Sequence, residues 1–175
     1  MDSRREKIGL LSRINRGKTA TPAFMASLSE ALECALQGES IQSLTETDSL
    51  WGIYGIGYSE AVKGASCSYR HMFSRDEAVK VFQMADCLAR SLSGEKAFLL
   101  SKQSEICGAV EVEAANLLKH CGPVINLDGD AVRIVSKDKS QGLMIDFNPD
   151  DVQWQYEVAA WGDRWPLLVL ACNHE

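Results

Sequence analysis

Val124-Ile125-Asn126-Leu127-Asp128-Gly129-Asp130-Ala131-Val132-Arg133-Ile134-Val135 is the stretch whose reading decides the fold. Two apolar runs meet at Asp128-Gly129. Asp-Gly favours a type I′ hairpin turn because both residues tolerate positive φ. The pattern continues downstream. Ser136 to Gly142 forms a looser turn. Leu143, Ile145 and Phe147 then alternate with Met144 and Asp146, until Asn148-Pro149-Asp150-Asp151 breaks the run. Val152, Trp154, Tyr156 and Val158 alternate with Gln153, Gln155 and Glu157, a period of two with one face inward and one wet. Gly162-Asp163 turns the chain again, and Trp165 to Cys172 is almost wholly apolar. The region from Pro123 to Cys172 therefore reads as an antiparallel meander of about five strands, the last of them central.

The residues before it read mainly as helices. Ser3-Arg4-Arg5-Glu6 has capping-box form, and Ile8, Leu11 and Ile14 follow at helical spacing, which predicts a helix over 4–16 stopped at Gly17. Thr21-Pro22 starts a second, carrying Phe24, Leu28, Leu32 and Leu36 on one face and ending at Gly38. Trp51 to Tyr58 alternates glycine with aromatic and aliphatic residues and reads as an edge strand, a loop packed by its own rings, or an adaptable aromatic contact surface. Its Gly52-x-x-Gly55-x-Gly57 spacing does not match a dinucleotide fingerprint. Cys67 to Phe73 alternates as a strand. Ser74-Arg75-Asp76-Glu77 caps a helix over 75–92. Lys96 to Leu100 is a strand, and a short strand ending near Glu113 leads into a helix that stops at Gly122-Pro123. The fold class is α+β, with N-terminal helices packed on a C-terminal, mainly antiparallel β-sheet. It is read as a single globular domain over 1–175, with 1–20 as a helical arm.

The apolar fraction of 46% suits a globular chain. No apolar core follows the charged Met1–Lys7 segment, and no run reaches membrane-spanning length, so a cytoplasmic location is expected. Six cysteines without a CxxC pair read as free buried thiols in a reducing compartment, with a structural disulfide pair as the alternative. The net charge of -6 is uneven. Residues 1–21 carry six Lys/Arg and two acids, whereas residues 103–175 carry twelve acids and five bases. Such a field repels nucleic acid and anionic membranes and attracts a basic protein.

Catalytic signatures are missing. There is no G-x-S-x-G, no H-E-x-x-H and no complete calcium loop around Asp128-Gly129-Asp130. His71 shares a strand face with Cys67 at roughly 13 Å, too far for a dyad. His120 adjoins Cys121 but points away from it, and His174 is almost terminal. No cofactor and no metal is called for. An acidic cleft using Glu113, Asp146 or Glu157 would make the chain a small hydrolase-like enzyme. The aromatic residues are more informative. Trp154 shares parity with the inward residues, while Trp161 has the parity of Glu157, so its ring projects from the wetter face, with Trp165 just beyond the turn. The expected partner-binding residues are Asp128, Asp130, Glu157, Trp161, Asp163 and Trp165, acids around an aromatic anchor.

In size, acidity and lack of catalytic motifs the chain resembles small bacterial inhibitor proteins such as immunity proteins. The resemblance covers no motif and transfers no residue. It implies a cytosolic module that neutralises a basic, toxin-like partner by occlusion. A homo-oligomeric assembly subunit is the other alternative to an enzyme.

Overall fold

The computed structural model describes residues 3–151 and 153–173, with side chains from Arg5 onward. The capping side chain of Ser3, Val152 and His174 lie outside the described residues.

Six segments keep a strand period: β1 (Ser68–Phe73), β2 (Lys96–Leu100), β3 (Val110–Glu113), β4 (Ala131–Ser136), β5 (Gly142–Phe147) and β6 (Tyr156–Trp161). They form one open sheet in the order β1-β6-β5-β4-β2-β3, with every neighbouring pair antiparallel. The run β4-β5-β6 is the expected meander, although β6 begins later than the alternation predicts. The fold is α+β, but strands and helices are interleaved along the chain. There is no N-terminal helical block set on a C-terminal sheet.

Both ends of the predicted meander are helical. Val124 to Leu127 lies in α6 (Cys121–Asp128). Gly129, at φ 89°, is its C-cap and donates its N–H to the Ile125 carbonyl at 2.7 Å. Positive φ serves a left-handed helix cap as well as a hairpin turn, so Asp-Gly alone does not choose between them. Trp165 to Cys172 is α7 (Trp165–Cys172), not a central strand. An unbroken apolar run fits a buried helix or a buried strand equally well. Pro166 decides the matter, because proline suits a first helical turn and cannot serve a central strand.

The N-terminal reading changes too. Residues Ser3–Ala31 form one helix, α1, continuous through Gly17 and Pro22. Gly17 is not a helix stop. A Cβ there would collide with the carbonyl oxygen of Ile106, so glycine permits α1 to lie directly on α4 (Ser104–Cys107). Pro22 stays on the exposed side of the helix. The segment Leu44–Val62 is a helix, α2, rather than an edge strand or loop. Its N-cap Ser43 accepts from the Glu46 N–H at 3.2 Å. Its buried residues are Thr47, Leu50, Tyr54, Gly57 and Ala61, a three-four alternation.

The sheet lies between two layers. On one face Leu99, Val132, Ile134, Leu143, Ile145 and Val158 pack into a large apolar cluster. It includes Leu28 of α1, Leu32 just past its end, Met84 and Leu88 of α3 (Ala78–Ser91), Leu117 of α5 (Ala114–Lys119) and Val169 of α7. On the other face Phe98, Leu100, Val135, Met144, Ala159 and Trp161 pack under Leu50, Tyr54 and Ala61 of α2. Cys87 of α3 and Cys172 of α7 form a disulfide, with Cα atoms 5.7 Å apart. Cys34, Cys67, Cys107 and Cys121 are free thiols. The reading of all six as free buried thiols is corrected: two are bridged, and of the four free ones Cys107 and Cys121 are buried, Cys34 is half-buried and Cys67 is exposed.

Candidate functional site

The α2 face of the sheet carries polar side chains in rows set by strand register. Arg133 of β4, Met144 of β5, Ala159 of β6 and Arg70 of β1 form one row. Ala131, Asp146, Glu157 and Met72 form the next. Met144 and Ala159 lie under α2. At the edge of that cover, charges gather.

Arg133 is the hub. Its Nη1 donates to Asp128 Oδ2 at 2.9 Å, and its Nη2 lies 3.1 Å from Asp130 Oδ1 and 3.8 Å from Asp146 Oδ1. Asp128 also accepts from the Lys102 amide at 2.7 Å, and Lys102 Nζ pairs with Asp130 at 2.8 Å. The Asp128 side chain is only 3% exposed, so Arg133 and the Lys102 amide must stand in for water. A second knot is built on Glu157, which accepts from Arg70 Nε at 2.6 Å and from the Tyr58 hydroxyl at 3.1 Å. Tyr54 meets Met144 Sδ at 3.0 Å between the two knots.

These surroundings shift several groups. Burial raises Asp146, with Arg133 opposing it. Burial also raises Asp128, partly offset by the Lys102 amide and Arg133. Burial works the same way on Asp130, but there the hydrogen bond from Lys102 and the charge of Arg133 win and hold it below the usual carboxylate range. Tyr54 is raised by burial, and Tyr58 by burial and then by Glu157. Acids with opposite shifts in one patch can divide proton-holding and charge-bearing roles.

Of the six expected partner-binding residues, Asp128, Asp130 and Glu157 come together here. Trp161, Asp163 and Trp165 do not. They lie at the other end of β6 and beyond, with Trp161 roughly 13 Å along the strand from Glu157. Trp161 does share the face of Glu157, as its parity indicates, but its ring is covered. The indole is 5% exposed, lies edge-on to Tyr54, and sits against Gly57 and Gly142, where a Cβ would overlap it. Trp165, the first residue of α7, is 1% exposed in the core. The expected aromatic surface at these two rings is therefore corrected: both are packing residues. Asp163 is exposed in its turn.

The exposed tryptophan is Trp154, which was expected in the core. It is 38% exposed in the loop between β5 and β6. Asp151 organises that loop by accepting the N–H groups of Gln153 and Trp154, each at 2.8 Å, and these bonds hold its carboxyl below the usual range. Exposed Asp150 stands beside it. Phe147 and Tyr156, whose rings are 5.0 Å apart, flank the loop, which therefore shares the sheet end of Asp146 and Glu157. Trp154 follows a turn, so strand parity does not apply to it.

The three acids of the hydrolase alternative are split. Asp146 and Glu157 are direct cross-strand neighbours, whereas Glu113 is on edge strand β3 and accepts from the Gly94 amide at 3.2 Å. Among the described residues, no group of three or more His, Cys, Asp and Glu is arranged to hold a metal ion. His71 is exposed and stacks edge-on with Phe73, and His120 Nδ1 lies 2.9 Å from the Asn116 carbonyl. No helix among the described residues is long and apolar enough to cross a membrane.

Arg133, Arg70, Lys102, Tyr54 and Tyr58 were not foreseen. Tyr54 had a legible signal in the 3-4 spacing of Leu50, Tyr54 and Gly57, with Tyr58 one turn beyond Tyr54. The cations had none, since pairing depends on tertiary contact. No protein-family model, curated protein or solved structure matches the chain.

Proposed function

We propose that this chain is a protein-binding module, an inhibitor of immunity-protein type that neutralises a basic, toxin-like protein by covering its working surface. The observation that carries the reading is Trp154, an exposed indole beside Asp150 and Asp151, at the sheet end that also bears Asp146, Glu157 and Asp130. Interface hot spots combine a large aromatic ring, given up from water on binding, with charges at its rim. The acids would steer a cationic partner, and the ring would set its residence time. Asp128 and Glu157 contribute through the charged network rather than by direct contact, because both are already paired.

The test is capture of partners from the native host by tagged wild-type protein and by Trp154→Ala. A stoichiometric basic protein held by the first and lost by the second, with its activity inhibited on binding, supports the reading. Capture unaffected by Trp154→Ala overturns this site assignment. A cytoplasmic location belongs to the same proposal, and the Cys87–Cys172 bridge is its sharpest test, because cytosolic thiols are normally kept reduced.

One observation favours a second reading. Asp146 has a raised pKa and faces Glu157 across β5 and β6, an arrangement that allows an acid and a charged carboxylate to work together. Loss of a hydrolytic activity in both Asp146→Asn and Glu157→Gln, with the fold retained, would support the enzyme.

A further inference from the structure

Helix α1 presents a face that the rest of the chain leaves uncovered. Ile8, Leu11 and Ile14 are 59%, 59% and 40% exposed. At 100° per residue Leu11 and Ile14 share a side with Lys7, Lys18, Pro22 and Met25, and Ile8 borders it. Towards its C-terminal half this side becomes one wall of a groove of about 700 Å³. Ile14, Lys18 and Met25 form that wall, and Leu36, Ile41 and Leu44 form the other. Lys7 and Lys18 are exposed and make no ion pair among the described residues. A concave, apolar and cationic surface fits a projecting apolar ring carried by acids.

The same chain carries such a projection. Trp154 stands out of its loop with Asp150 and Asp151 beside it. We infer that the Trp154 loop of one copy docks in the α1 groove of a second copy, with Asp150 and Asp151 facing Lys18 and Lys7. Pairing two α1 faces with each other would instead bring Lys7 and Lys18 against their own copies, which is repulsive. Charge complementarity therefore selects a contact between unlike surfaces. Two copies that exchange loops across a two-fold axis close as a dimer, and a one-way contact leaves one groove and one loop free and extends into a ring or a chain. The inference rests on the Trp154 surface proposed above and implies that self-association and partner binding compete.

The experiment is sedimentation velocity on the whole protein, over concentrations up to the order of 0.5 mM, the range in which a small interface of this kind associates. The weight-average sedimentation coefficient should rise with concentration and rise less in high salt. Trp154→Ala removes the ring. The second variant combines two changes: Ile14→Asp puts a charge in the groove wall, and Leu11→Asp puts one on the exposed side of α1 that leads into it. Each variant alone should remain monomeric. Mixed in equal amounts they should form a dimer and nothing larger, because only one intact loop and one intact groove remain. That rescue also shows that both variants are folded. A wild-type protein that stays monomeric, or association that survives either variant, overturns the inference. Failure here leaves partner capture by wild-type protein as a separate result, so the two readings fail independently.

Discussion

On one face of the sheet, Leu99, Ile134, Ile145 and Val158 meet helices α1, α3, α5 and α7 in a wholly apolar cluster. On the other, Leu100, Met144 and Ala159 meet the single helix α2, while Arg133 shares their row and Asp146 and Glu157 occupy the next. The first face is stabilised by buried area and by a covalent link between two of its helices. The second combines a smaller apolar patch with charges whose energies nearly cancel. Apolar packing tolerates wide variation in its neighbours, whereas a half-buried ion network depends on every partner being present. The face with less packing is accordingly the one with adjustable chemistry.

The largest effect is expected on the packed face. The Cys87–Cys172 link spans 85 residues of sequence, for which loop entropy predicts about 4.5 kcal/mol of stabilisation. Cys172→Ser should lower the urea midpoint by a corresponding amount, and reductant should bring wild type down to the variant. Alkylation of the denatured, unreduced protein should label four of the six cysteines. Labelling of all six would remove the covalent half of the comparison.

On the α2 face, Arg133→Leu leaves the nearly buried Asp128 carboxylate without its cation. A cost of about 3–5 kcal/mol follows from breaking such a pair. The double variant Arg133→Leu with Asp128→Leu should recover much of this, since an apolar pair can replace an ionic one. Equal losses in the single and double variants would show that Arg133 stabilises by packing alone.

Gly142→Ala tests how closely Trp161 is enclosed. The new methyl would overlap the indole, and overpacking of this kind costs about 1–3 kcal/mol. Gly52→Ala, in the same layer but with open space where the Cβ would stand, should stabilise α2 by about 0.4–1 kcal/mol. Denaturant midpoints for the pair should move in opposite directions.

What the sequence made legible follows from which signals are local. The alternation in β1 and β5 survives folding because each strand keeps one side on the larger core, and β2 and β4 read as strands although nearly all of each is buried. The turn at Asp128-Gly129 and the apolar run after Trp165 were ambiguous because positive φ and continuous burial occur in both kinds of element. In α2, Gly52, Gly55 and Gly57 hid a helical spacing that Leu50, Tyr54 and Ala61 carry. Gly17 resembled a stop because its role, contact with the Ile106 carbonyl, is tertiary. At the site, acids could be picked from local charge, and Asp128, Asp130 and Glu157 did converge. Arg133 and Trp154 could not be picked, since the first depends on register across four strands and the second on a loop outside the strand period.

The smallest effect is the most specific to the polar face. Burial raises the pKa of Asp146, so the folded state holds its proton to higher pH than the unfolded chain does. Between the ordinary aspartate value, about 3.9, and the raised one, folding takes up a proton, and stability falls as pH rises through that window. Above it the ionised, half-buried carboxylate is a standing penalty. Asp146→Asn should therefore be more stable than wild type at pH 7, by less than about 1 kcal/mol given its partial exposure, and should lose that advantage as pH falls towards about 3. Thermal melts at the two pH values measure the difference. An equal advantage at both would trace the effect to packing rather than charge. A loss of stability at pH 7 would mean that the attraction of Arg133, 3.8 Å away, outweighs burial, and that this face is held by its ions more than by the cover of α2.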